Sequence, residues 1–63
     1  MTAPDPEARW SRLRHDLANP LSAILAEAQL LLLDGDRLDP EVRRAVKTIE
    51  EMALKMRELL RSQ

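Results

Sequence analysis

Apolar residues recur along this chain at steps of three and four, in two separate stretches. In the second stretch Val42, Ala45, Ile49, Met52, Met56 and Leu59 keep that spacing without a break, and Val46, Ala53 and Leu60 widen the stripe on one side. The first carries Trp10, Leu13, Leu17, Leu21, Ile24, Ala28 and Leu31, broadened in the same way by Leu25 and Leu32. Such spacing collects apolar side chains on one face of an α-helix. Each stripe is wider than a two-stranded seam needs, so each helix is expected to have more than one neighbour.

The residues between the stripes set the boundaries. After a polar tail, residues 1–4, Asp5 suits an N-cap, Pro6 the first helical position and Glu7 the positive end of the helix dipole; helix 1 is predicted over 5–34. A turn follows over 35–38, with the only glycine, Gly35, expected to close the helix in a positive-φ cap. Asp39, Pro40 and Glu41 repeat the start signal and open helix 2, predicted over 39–62. Two helices joined by so short a turn make an antiparallel hairpin. The predicted fold is therefore all-α, a hairpin that pairs with a second copy about a two-fold axis to form a four-helix bundle.

Composition agrees with a unit that needs a partner. At 63 residues, one chain buries too little apolar surface to be comfortably stable alone. There is no cysteine, hence no disulfide framework or thiolate metal site. The start, from Met1 to Glu7, is polar and acidic, unlike a signal peptide, and the longest apolar run, Leu30 to Leu33, is short for a bilayer span. These features predict a cytoplasmic location. Ten basic and eleven acidic residues give a net charge of −1, which offers no electrostatic footprint for nucleic acid or an anionic membrane. Pairs such as Lys47 with Glu51 and Glu51 with Lys55 lie four apart and solvate helix 2. Asp34, Asp36 and Asp39 cluster in the turn but lack the twelve-residue spacing and closing glutamate of a calcium loop, and one histidine is too few for zinc. No metal site is expected.

The chemistry concentrates at His15, the sole histidine. At 100° per residue it lies about 200° from Leu13 and from Leu17, so its imidazole is directed away from the apolar face. Asn19, Ser22, Ala26 and Gln29 share its exposed line, a strip of small or uncharged side chains that lets another protein approach closely. Pro20 falls inside helix 1, where it removes one backbone donor and crowds the carbonyl of Asp16. Because Leu17, Leu21 and Ile24 keep helical spacing across it, one helix kinked at Pro20 is predicted rather than two.

The run His15-Asp16-Leu17-Ala18-Asn19-Pro20-Leu21 resembles the H-box of the dimerisation and histidine-phosphotransfer domain of two-component sensor histidine kinases. The order there is histidine, an acidic residue, leucine, a variable residue, threonine or asparagine, proline and leucine, and every position is met. The resemblance extends over nearly the whole chain, since that domain is also a helical hairpin that dimerises as a four-helix bundle. It implies that His15 is a phosphoacceptor, that Asp16 orients and activates it, and that Asn19 positions a water for hydrolysis of a phospho-aspartate. Ser22, Ala26 and Glu27, with Arg43 and Lys47 on helix 2, would then form the surface that receives a response regulator. The implied partners are a second copy, an ATP-binding catalytic domain in cis or trans and a regulator receiver domain. No cofactor would be bound by this chain, because ATP and Mg²⁺ belong to the catalytic domain. That domain is absent here: no glycine-rich nucleotide loop occurs, so the chain is expected to be one domain of a longer kinase, soluble or membrane-anchored, and not a kinase alone. The competing reading is a non-catalytic helical module that dimerises or recruits a partner.

Overall fold

A computed structural model describes residues 5–62; the tail predicted over 1–4 lies outside the described residues. Helix α1 spans Pro6–Leu33, a single 3₁₀ turn spans Gly35–Arg37, and α2 spans Pro40–Arg61. The two α-helices pack side by side as a hairpin measuring 57 × 16 × 14 Å. Both start in the same way. Asp5 Oδ1 accepts a hydrogen bond from the Glu7 amide at 3.1 Å, and Asp39 Oδ1 accepts one from the Glu41 amide at 2.9 Å, each satisfying a donor that the first helical turn leaves open. α1 continues through Pro20, which excludes two helices divided at that residue.

The turn differs from the sequence expectation. Gly35 does not adopt a positive φ. The chain instead leaves α1 through Asp34 at φ −109°, ψ 35°, whose amide donates to the Leu31 carbonyl, and tightens into the 3₁₀ turn. Arg37 N–H then bonds Asp34 O at 2.9 Å and Leu38 N–H bonds Gly35 O at 3.1 Å. A 3₁₀ turn reverses direction at negative φ, so no left-handed residue is needed.

Packing divides each apolar stripe in two. Leu21, Leu25 and Ala28 of α1 and Val46 and Ala53 of α2 are buried, with Leu32, Leu38, Leu54 and Leu60 half-buried around them. Trp10, Leu13, Leu17, Ile24 and Leu31 remain exposed, as do Val42, Ile49, Met52, Met56 and Leu59. Thus the residues that only widen the α2 stripe in the sequence pattern, Val46 and Ala53, form its inner seam, and its unbroken repeat faces outward. One neighbour covers one edge of a broad stripe, and the other edge awaits a second neighbour. The outward edges meet in an apolar groove lined by Trp10, Leu17, Ile24, Ile49, Met52 and Met56 among others.

α1 also meets a test that the run Leu30–Leu33 does not. Over residues 16–33 its only charged side chains are Asp16 and Glu27, and by length and composition alone the helix could cross a membrane. The core helix of a bundle has the same composition, and Asp16, Asn19, Glu27 and Gln29 would each have to leave water in a bilayer.

Candidate functional site

His15 is in the third turn of α1 and is exposed. It lies on the flank of the α1–α2 seam opposite the apolar groove. There the two helices enclose an open groove of about 570 Å³, lined on α1 by Ser11, Arg14, His15 and Ser22 and on α2 by Arg57 and Arg61, with Leu21 and Leu60 at its apolar floor. Among the described residues no Asp or Glu side chain lines it. The hairpin therefore has one apolar flank and one cationic flank, and the imidazole is on the cationic one.

The other sequence-predicted residues distribute unevenly around this groove. Asp16 is exposed and, as the next residue on a helix, is turned about 100° from His15. Among the described residues the two side chains share no hydrogen bond. Asn19 is exposed one turn beyond His15, about 40° round the helix. Pro20 lines the apolar groove, so its ring faces away from the imidazole. Ser22 lines the His15 groove, and Ala26 is exposed about 20° off the His15 line.

Three of the proposed docking residues are not brought to His15. Glu27 is turned about 120° from it. Arg43 and Lys47 line a separate groove at the turn, with Leu32, Leu33, Asp36 and Glu50. Arg43 Nη1 is 3.9 Å from Asp36 Oδ1, both side chains well exposed, a geometry worth little.

Sequence reasoning missed Arg57 and Arg61. The signal was present in the hairpin itself: Leu21 and Ala53 belong to one packed cluster, and six residues back from Leu21 is His15 while six forward from Ala53 is Leu59. An antiparallel pairing therefore sets 57–61 opposite the histidine. Leu33, at the far end of α1, stands apart from both flanks. It is 83% exposed and lies eighteen residues from His15, five full turns, hence on the same line about 27 Å away. Among the described residues no group of three or more His, Cys, Asp or Glu side chains is placed to hold a metal ion.

Residues 10–62 match the His Kinase A (phospho-acceptor) domain. The chain belongs to that family. The match starts at Trp10 and takes in the His15 groove, the turn and all of α2. No curated protein and no solved structure matches the chain. Phospho-acceptor domains of this family dimerise and work with the catalytic domains of histidine kinases, and the hairpin with one uncovered apolar flank fits the four-helix bundle such a dimer makes.

Proposed function

We propose that His15 is the phosphoacceptor of this domain and passes its phosphoryl group to an aspartate of a response regulator. The observation that carries the reading is that a phospho-acceptor domain matching residues 10–62 contains a single histidine. Its exposure on a groove that, among the described residues, carries arginines and no Asp or Glu side chain supports the same reading.

In this reading a ring nitrogen of His15 attacks the γ-phosphorus of ATP carried by a catalytic domain. The N–P bond forms, the bond from γ-phosphorus to the bridging oxygen breaks, and ADP leaves with that oxygen. Asp16 accepts a hydrogen bond from the other ring N–H and stabilises the positive charge that the attack generates. Because the two residues are turned apart, Asp16 reaches the ring through its own rotamer, in a segment where Pro20 leaves the Asp16 carbonyl without its usual helical donor. Asn19 orients a water toward the regulator's phospho-aspartate. The regulator docks along Ser22 and Ala26. The chain binds no cofactor of its own, since ATP and Mg²⁺ come on the catalytic domain. Two copies associate through the apolar flank, with the domain in the cytoplasm and α1 in a bundle rather than a bilayer.

Label transfer tests the reading. The chain is mixed with a histidine-kinase catalytic domain and γ-labelled ATP, and wild type is compared with His15→Ala. Acid-labile, alkali-stable label on wild type alone is expected; equal label on both, or none on either, would return the chain to a non-catalytic dimerising module.

A further inference from the structure

We infer that Arg57 and Arg61 are phosphoryl-binding residues that hold the group carried by His15 from the opposite helix. The inference rests on His15 being the phosphoacceptor and concerns how the group is bound once it is there. Three observations carry it. First, among the described residues the groove beside the imidazole is lined by Arg57 and Arg61 of α2 and by no Asp or Glu side chain, although the chain as a whole has more acidic than basic residues. The groove at the turn, by contrast, mixes Arg43, Arg44 and Lys47 with Asp36 and Glu50. Among the described residues, cations line the groove at His15 without acids, whereas the groove at the turn mixes the two signs. Second, Arg57 and Arg61 are four residues apart, so their Cα atoms are about 6 Å apart along the axis and both side chains leave the same side of α2. Third, Arg61 is the last residue of α2, where unpaired carbonyls make the helix end negative.

These facts matter because a phosphoryl group on an imidazole nitrogen carries two negative charges. Placed beside the C-terminal end of α2, it meets an unfavourable dipole unless cations intervene. Arginine is suited to that position, since its planar fork pairs with two phosphoryl oxygens at once and its charge does not depend on pH near neutrality. Arg61 alone has an ordinary explanation as a cation complementing the helix end. Arg57, one turn earlier and on the same groove, does not.

The test uses phosphoramidate, a small donor that needs no catalytic domain. A ring nitrogen of His15 attacks phosphorus, the donor's P–N bond breaks, and ammonia departs with the imidazole proton. Wild type, Arg57→Gln/Arg61→Gln, Arg57→Lys/Arg61→Lys and His15→Ala are compared by phosphorus NMR, with helix content checked by circular dichroism. The glutamine pair is expected to phosphorylate about tenfold more slowly than wild type at low salt, two partly exposed charge contacts being removed. The lysine pair should recover to within about threefold, and the gap should close in high salt as the charges are screened. A glutamine pair as fast as wild type, or a loss that lysine does not recover and salt does not narrow, would overturn the inference while leaving His15 as acceptor. Equal phosphorylation of His15→Ala would remove both.

Discussion

Replacing Ile49 and Met52 together by alanine should separate the dimer without disturbing the hairpin. In a single chain these side chains are 48% and 50% exposed, so about half of each still contacts water. Full burial of an isoleucine or methionine side chain contributes about 1.5–3 kcal/mol, and the half left for a partner is worth about 1 kcal/mol. A two-fold dimer presents each position twice. Four truncated side chains then cost about 4 kcal/mol of association, close to a thousandfold in Kd at 1.4 kcal/mol per decade. Alanine is the better helix former, so lost helix propensity does not explain a weakening. Sedimentation equilibrium over a range of concentrations reads the constant directly. Leu33→Ala, on the His15 line, serves as the control and should leave it unchanged. An unchanged Kd in the double variant, or dissociation by Leu33→Ala instead, would refute the assignment of the apolar flank as the dimer face.

Other substitutions test the turn, a cap and the proline. Gly35→Ala should be neutral or stabilising by up to about 1 kcal/mol, because φ is negative and alanine restricts the unfolded chain; its added Cβ meets only Arg43 Cδ, at 3.3 Å, in a flexible side chain. A left-handed glycine would predict a loss of about the same size in thermal melts, so the sign decides. Asp39→Ala removes the acceptor for the Glu41 amide and should lower stability by about 1 kcal/mol, measured by urea titration at fixed protein concentration. Pro20→Ala restores a donor for the Asp16 carbonyl and should raise stability by as much as about 3 kcal/mol, while slowing phosphorylation of His15 if the local freedom of Asp16 matters; a faster reaction in this more stable variant would contradict that role.

Much of the fold follows from local sequence signals. Asp5-Pro6-Glu7 and Asp39-Pro40-Glu41 read as helix starts because capping and proline placement depend on a few adjacent residues, and both caps form. The helical period was equally legible. Its division was not: which edge of a broad stripe faces the sister helix depends on the rotation of α1 against α2, and the unbroken repeat from Val42 to Leu59 proved to be the outer edge. Gly35 misled for a related reason. A lone glycine after a helix is compatible with a left-handed cap and with a 3₁₀ turn, and only the path of the chain distinguishes them.

At the site, His15 stands out because it is the only histidine and lies off the apolar face. Arg57 and Arg61 do not stand out, since nothing near them in sequence marks them; their relevance appears only when the hairpin folds α2 back across His15. The resemblance implies a regulator surface that runs from Ser22, Ala26 and Glu27 to Arg43 and Lys47, and only the fold gives its extent: Ser22 lines the His15 groove, while Arg43 and Lys47 line the groove at the turn.

The most direct test of the account is to locate the phosphoryl group. After labelling with ATP and a histidine-kinase catalytic domain, the chain is fragmented under alkaline conditions and the modified residue identified by mass spectrometry. The account predicts modification on His15 alone, absent from His15→Gln. A phosphoryl group on a serine, a threonine or an aspartate of wild type, or one retained in His15→Gln, would contradict it.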